Sequence, residues 1–110
     1  MTLPVLPDAL PLLSQYDNIT PLLQEDVERT ARNHLLKFQD SYFKTYLKKT
    51  DAKITTAMRF SKNKQEKYVG TFKFVLDGEE FFRSNEVPFK EPLDVVNHAF
   101  KHLKEYLANK

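Results

Sequence analysis

The sequence of 110 residues contains no cysteine and only two glycines. Without cysteine the chain can form neither a disulfide nor a thiolate metal site, which suits a reducing compartment. With so few glycines it has few strained turns, and it has no glycine-rich loop that could cradle a phosphate. These absences exclude disulfide-stabilised scaffolds, zinc–thiolate centres and P-loop nucleotide binding.

A hydrophobic run long enough to cross a membrane is also lacking. The apolar start, residues 1–13, is interrupted by three prolines and has no preceding basic region, so it is a poor signal peptide. The composition, with 41% hydrophobic residues and 13% aromatic residues, is that of a folded chain with one modest core. We therefore expect a cytoplasmic protein of one domain with no membrane partner.

The net charge of +2 hides an uneven distribution along the chain. Residues 1–18 carry two acids and no base, whereas residues 37–73 carry ten Lys or Arg against three acids. Such a block of positive charge favours a polyanionic partner, which can be nucleic acid, an anionic membrane or an acidic protein. The alternative is a solvated basic face that binds nothing.

Hydrophobic periodicity predicts a long first helix over about residues 21–47. Thr20 suits its N-cap, and Pro21 suits its first position. Apolar residues then recur at steps of three and four and form one stripe: Leu23, Val27, Ala31, Leu35, Phe38 and Tyr42. Before this helix, residues 1–18 form an extended N-terminal segment. Any strand in it lies near residues 10–16, and the prolines of the segment require such a strand to be at the edge of the sheet.

Alternating residues predict three strands after the first helix. Residues 54–60 and 68–76 are the first two, and Asp77-Gly78 is a strong signal for a tight turn, from which residues 79–84 return antiparallel. Spacings of 3, 4, 3 and 4 then predict a last helix through Leu93, Val96, Phe100, Leu103 and Leu107. The order βαβββα predicts an α+β two-layer sandwich, with both helices on one face of an antiparallel-rich sheet.

The segment KYVGTFKFV partly resembles the RNA-stacking strand of the RRM, but here no strand follows the last helix. Alternation places Phe72 and Phe74 under the helices, so we expect them in the core, and it leaves Lys73 on the open face. Phe81 and Phe82 point to opposite faces. The outer of these two could stack on a base or be half-covered by the N-terminal segment, and we expect the second.

Catalytic and metal-binding constellations find little support. No serine stands in a nucleophile elbow, and Glu79-Glu80 reads better as a solvated hairpin end than as an acid–base pair. His98 and His102 have a spacing that can hold a metal, but no third ligand is evident, so we expect a solvated pair. His34 stands alone and can line the apolar stripe. We expect no enzyme activity, no cofactor, no bound metal and no small-molecule substrate.

The order and lengths of the elements resemble those of the ribosome hibernation-promoting factors, which include the ribosome-associated translation inhibitor. Residues 19–23, ITPLL, resemble the opening of that family's long basic helix, and ARNHLLKFQDSYF is similar to its continuation. Residues 91–107, EPLDVVNHAFKHLKEYL, resemble its last helix. The resemblance covers about residues 10–109. It departs at Leu93 and Asn97, where the family has Tyr and Asp, and in a longer first helix.

This resemblance implies a βαβββα fold like that of double-stranded-RNA-binding domains. In the family, the domain sits in the tRNA and mRNA channel of the small ribosomal subunit, contacts 16S rRNA through basic residues and blocks initiation in resting cells. For this chain it implies a cytoplasmic translation inhibitor of the short form, monomeric when free, with residues 19–110 as the ribosome-binding domain and residues 1–18 as its extended N-terminal segment.

The residues expected to bind RNA are bases on both helices, the sheet and its loops. By the resemblance, Arg32 and Lys37 match basic positions of the first helix and Lys101 and Lys104 those of the last, while the sheet positions match loosely. The full predicted set is Arg32, Lys37, Lys44, Arg59, Lys62, Lys64, Lys73, Arg83, Lys101 and Lys104. We expect these side chains to form one continuous surface for folded rRNA, read through phosphates and shape.

A second hypothesis is a non-enzymatic protein-interaction module. Its exposed sheet face or an edge strand would capture a partner by strand addition. Ionic strength separates the two hypotheses, because phosphate contacts weaken steeply with salt whereas strand pairing does not.

Overall fold

The computed structural model describes residues 3–85 and 87–109, except for the side chains of Lys49 and Thr50. Its elements follow the order βαβββα, with residues 21–50 as the first helix. The strands are β1 Leu12–Asp17, β2 Ile54–Lys62, β3 Tyr68–Leu76 and β4 Glu79–Ser84, and the last helix, α3, is Pro92–Ala108. The predicted α+β sandwich is therefore confirmed, and the bounds of β3 and β4 agree with those read from the sequence.

The four strands form one mixed sheet in the order β1-β2-β3-β4. Strand β1 pairs parallel with β2, with Leu12 opposite Thr56, whereas β2–β3 and β3–β4 pair antiparallel. The β3–β4 turn has positive φ at both Asp77 (52°) and Gly78 (83°), as a type I′ turn requires. Strands β1 and β4 are thus the edges of the sheet.

The first helix contains a π-helical turn that the sequence pattern did not predict. It runs as α1 Pro21–Phe38, the π turn Gln39–Phe43 and α2 Lys44–Thr50. Phe43 is fully buried, while Tyr42 is only half-buried. Tyr42 still packs against the core beside Phe38, with ring centroids 5.4 Å apart, but the wider turn brings Phe43 onto the fully buried side.

The core fills the space between the helices and the inner face of the sheet, and it is rich in aromatic rings. The largest completely buried side chains are Phe43, Phe60, Phe72, Phe74 and Phe100. Phe100 of α3 lies at the centre, with its ring centroid 5.9 Å from that of Phe38, 6.0 Å from Phe72 and 5.4 Å from Phe74. The prediction that Phe72 and Phe74 belong to the core is confirmed.

Phe81 and Phe82 of β4 point to opposite faces, as the alternation predicts. Phe81 is half-buried and stacks on Tyr106 of α3, with ring centroids 4.6 Å apart. Phe82 is 64% exposed on the outer face. The expectation that the N-terminal segment covers it is wrong, because β1 lies at the opposite edge of the sheet.

Gly70 of β3 lies where α3 comes very close to the sheet. A Cβ added there would stand 2.5 Å from Cγ1 of Val95 and 3.0 Å from Cε1 of Phe72, both of them buried side chains. We expect Gly70→Ala to lower the free energy of unfolding by about 1–3 kcal/mol, as overpacking in a dense core does. Urea denaturation checks this by measuring the cost of Gly70→Ala twice, once in the wild-type protein and once in the Val95→Ala variant. An equal cost in the two backgrounds would contradict the close approach.

Candidate nucleic-acid interface

A groove of about 420 Å³ lies between the first helix and α3 on the outer side of the helix layer. Residues spaced by three and four positions on each helix line it, because that spacing keeps side chains on one helix face. The buried rings of Phe38 and Phe100 form its base. Three exposed lysines, Lys37, Lys101 and Lys104, stand around it and are called the rim lysines below.

His34 fixes one wall of this groove. Its ring stacks on Phe100 with centroids 4.7 Å apart and planes 8° from parallel, and its Nε2 donates to Oδ1 of Asn97 at 2.7 Å. Burial lowers the pKa of His34, with the Asn97 hydrogen bond acting in the opposite direction and Lys37 adding to the lowering. The imidazole is therefore neutral at pH 7 and ties the two helices together without adding charge.

The rim lysines carry uncompensated positive charge. Among residues 3–85 and 87–109, none of them forms an ion pair with a carboxylate. Arg32, predicted to join them on the first helix, is instead neutralised by Glu28 at 3.2 Å and donates to the carbonyl of Pro4 at 3.2 Å. The rim lysines therefore make the groove attractive to an anion, and Arg32 contributes little to it.

Two predicted sheet residues lie on the opposite side of the molecule. Arg59 is exposed on the outer face of β2 because its neighbours Met58 and Phe60 point into the core. Lys73 of β3 shares that face, and its Nζ lies 3.1 Å from Oε1 of Glu80. The sheet and core separate both from the rim lysines. The structure therefore has two basic regions on opposite faces instead of the single continuous surface that was expected.

Three further predicted bases lie at the periphery. Nζ of Lys62 is 4.0 Å from Oε1 of Glu66, and Lys64 is exposed in the loop between these two residues. Lys44 is exposed at the start of α2. The π turn inserts one residue before it, which rotates the α2 surface by about 100° relative to α1 at 3.6 residues per turn. None of these three lines the groove.

The last predicted base, Arg83, forms a polar cluster with the two histidines of α3. Its Nη2 lies 3.2 Å from Nε2 of His102, which is 3.1 Å from Nε2 of His98, and Nδ1 of His102 lies 3.5 Å from Oε2 of Glu105. Because a guanidinium only donates, Nε2 of His102 accepts and its proton sits on Nδ1. Burial lowers the pKa of His98, and His102 and Arg83 lower it further. The histidines are thus not the solvated pair that was expected.

The part of the chain that the structure describes contains no group of three or more His, Cys, Asp or Glu side chains placed to hold a metal ion. No helix within it combines the length and the apolar character that a membrane span needs.

Four polar residues of the groove were not predicted as functional: His34, Ser41, Tyr42 and Asn97. Ser41 follows Lys37 by four positions, and Asn97 precedes Lys101 by four, so each shares a helix face with a predicted base. This spacing places the residues on one face of each helix, but it does not tell which faces of the two helices meet.

Comparison with known proteins identifies solved structures that share this fold. No protein-family model and no curated protein match this chain. A ribosomal subunit interface protein from Coxiella burnetii is similar over 90% of this chain and 94% of its own, at 15% identity and a TM-score of 0.63. The N-terminal domain of Protein Y from Thermus thermophilus is similar over 88% and 91%, at 12% identity and a TM-score of 0.57. The chain shares the fold of these two proteins, which confirms the fold implied by the resemblance to hibernation-promoting factors.

Proposed function

We propose that this protein is a ribosome-associated translation inhibitor, or hibernation factor, that binds 16S rRNA of the small subunit and blocks the tRNA and mRNA sites. It acts in the cytoplasm by occupying space, with no turnover of a substrate. The observation that carries this proposal is the groove, where three exposed lysines lack carboxylate partners within the described ranges. The shared fold with a ribosomal subunit interface protein supports it.

The rim lysines supply the phosphate contacts in this mechanism. Each ammonium carries three donors on a flexible stem, so it follows the RNA backbone and makes no demand on sequence. The stack of His34 on Phe100 holds the first helix against α3 and so fixes the spacing of the lysines on either side. Every phosphate neutralised releases counterions, which makes the affinity strongly dependent on salt.

Exclusion of tRNA and mRNA follows from the bulk behind the groove. The body measures 44 × 32 × 19 Å along its principal axes and has a close-packed aromatic core that does not compress. An RNA strand cannot share the space it occupies. Strand β1 completes the sheet, so we assign ribosome binding to one unit that includes residues 12–17 as well as residues 19–110.

Sedimentation of the protein with purified small subunits across a salt series tests the proposal. We expect the protein to pellet with the subunits at low salt, and three phosphate contacts give a slope of log affinity on log salt of about −2 to −3. Large subunits serve as the control. Binding that does not respond to salt would contradict the phosphate mechanism and favour strand addition to a protein partner.

A further inference from the structure

The face of the sheet that is turned away from the helices, here the open face, carries an exposed aromatic ring, Phe82, and an unpaired cation, Arg59, two strands away. Two rows cross its four strands in register. The first row is Leu13, Ala57, Lys73 and Phe82, and the second row is Gln15, Arg59, Thr71 and Ser84. Residues of both rows line an open depression of about 610 Å³.

We propose that the open face binds single-stranded RNA, with an unpaired base stacked on Phe82 and a backbone phosphate held by Arg59. Phe82 is 64% exposed, so its aromatic ring is accessible from solvent. Bases of single-stranded nucleic acids stack on exposed aromatic rings of this kind. Only an unpaired base can present its ring to a side chain in this way, because bases in a duplex are covered by their neighbours. The ligand is therefore a single strand.

The charges on the open face suit a phosphate backbone. Arg59 forms no ion pair with any carboxylate of the described residues. Lys73 lies between Arg59 and Phe82, and its contact with Glu80 joins two side chains that are 42% and 60% exposed. Exposed pairs of this kind are weak, so Lys73 can leave Glu80 for a phosphate.

The spacing also suits a short strand. Phe82 and Arg59 lie two strands apart and two residues apart along the strand. With strands about 4.8 Å apart and a rise of about 3.3 Å per residue, their Cα atoms are about 12 Å from each other. Thr71 offers a hydroxyl to bases and ribose along this path, and Gln15 offers an amide on the far side of Arg59.

A protein partner fits the open face less well. Its two exposed apolar side chains, Leu13 and Phe82, stand at opposite ends of the row with Lys73 and Ala57 between them. They therefore form no continuous apolar patch of the kind that marks a protein interface. The proposal does not depend on ribosome binding, because the open face and the groove lie on opposite sides and can be occupied together.

Fluorescence anisotropy with a labelled, short, mixed-sequence single-stranded RNA tests this inference on the full chain. We expect Phe82→Ala to weaken binding about 5- to 150-fold, the range that loss of one base stack produces, and Phe82→Tyr to retain it. Leu22→Ala removes an apolar side chain that is 78% exposed on α1, and it should change nothing. The same RNA annealed to its complement should bind wild type and Phe82→Ala alike.

Two further variants separate this site from the groove. Arg59→Gln should reduce the salt slope for the single strand by about 0.7, the share of one phosphate. Lys37→Gln/Lys101→Gln/Lys104→Gln should keep single-strand binding even where it loses the small subunit. Unchanged binding by Phe82→Ala, or an equal loss for single strand and duplex, would overturn the proposal. Absence of single-strand binding by wild type would overturn it too and leave the open face to a protein partner.

Discussion

Reversal of the rim lysines, as Lys37→Glu/Lys101→Glu/Lys104→Glu, is expected to abolish co-sedimentation with small ribosomal subunits. All three side chains are exposed, and in the described structure none has a carboxylate partner, so the changes break no internal ion pair. Each one removes a charged hydrogen bond of about 1.5–3 kcal/mol and adds repulsion. Three such losses lower the affinity by on the order of 10³-fold or more.

A matched variant separates the groove from the effect of net charge. Lys48→Glu/Lys53→Glu/Lys90→Glu changes the charge by the same amount at three exposed lysines that do not line the groove. We expect it to keep most of its binding to the small subunit, and circular dichroism confirms that both variants are folded. An equal loss in the two variants would mean that binding responds to overall charge. Retention by the rim-lysine variant would mean that the groove is not the interface.

Phe100→Ala is expected to lower the free energy of unfolding by about 3–5 kcal/mol. The ring is 1% exposed and contacts three other aromatic rings of the core, so its removal leaves a cavity that rigid neighbours cannot fill. The free energy of unfolding of a small domain is about 5–15 kcal/mol in total, so this one change removes a large share of it. Chemical denaturation followed by circular dichroism measures it.

The same substitution at Phe82 is the control for Phe100→Ala. Because Phe82 is 64% exposed, Phe82→Ala should change the free energy of unfolding by no more than about 0.5 kcal/mol. If Phe100→Ala lowered the free energy of unfolding by less than about 1 kcal/mol, the surrounding rings would have to fill the cavity. That result would contradict the position of Phe100 at the centre of the core. This control also shows that Phe82→Ala is folded when its RNA binding is measured.

The strands and the last helix could be predicted from the sequence because each carries a local signal. Strict alternation and the Asp77-Gly78 turn define β3 and β4, and steps of three and four define α3. The π turn could not be predicted in the same way. Tyr42 and Phe43 are both aromatic, so a four-residue and a five-residue step from Phe38 look equally apolar, and only tertiary packing selects the second.

The sequence could name the lysines that line the candidate groove, but it could not predict how they are arranged. The rim lysines were all in the predicted set, yet periodicity reports the faces of one helix and cannot say which face of α3 meets α1. The pairing of Arg32 with Glu28 was predictable on local grounds, because Glu28 precedes it by four positions and such pairs form on helix surfaces. The separation of Arg59 from the groove required knowledge of the whole two-layer arrangement.

The parallel pairing of β1 with β2 has a consequence for how the chain assembles. Leu12 and Thr56 are 44 positions apart, whereas β3 and β4 are joined by a turn of two residues. Closing the longer loop costs more chain entropy, so we expect the hairpin to form before β1 docks. Until it docks, β2 presents an unpaired edge on which a strand of another chain can add. We therefore expect β1 to be the last strand to pair, and its pairing covers the edge of β2 against aggregation.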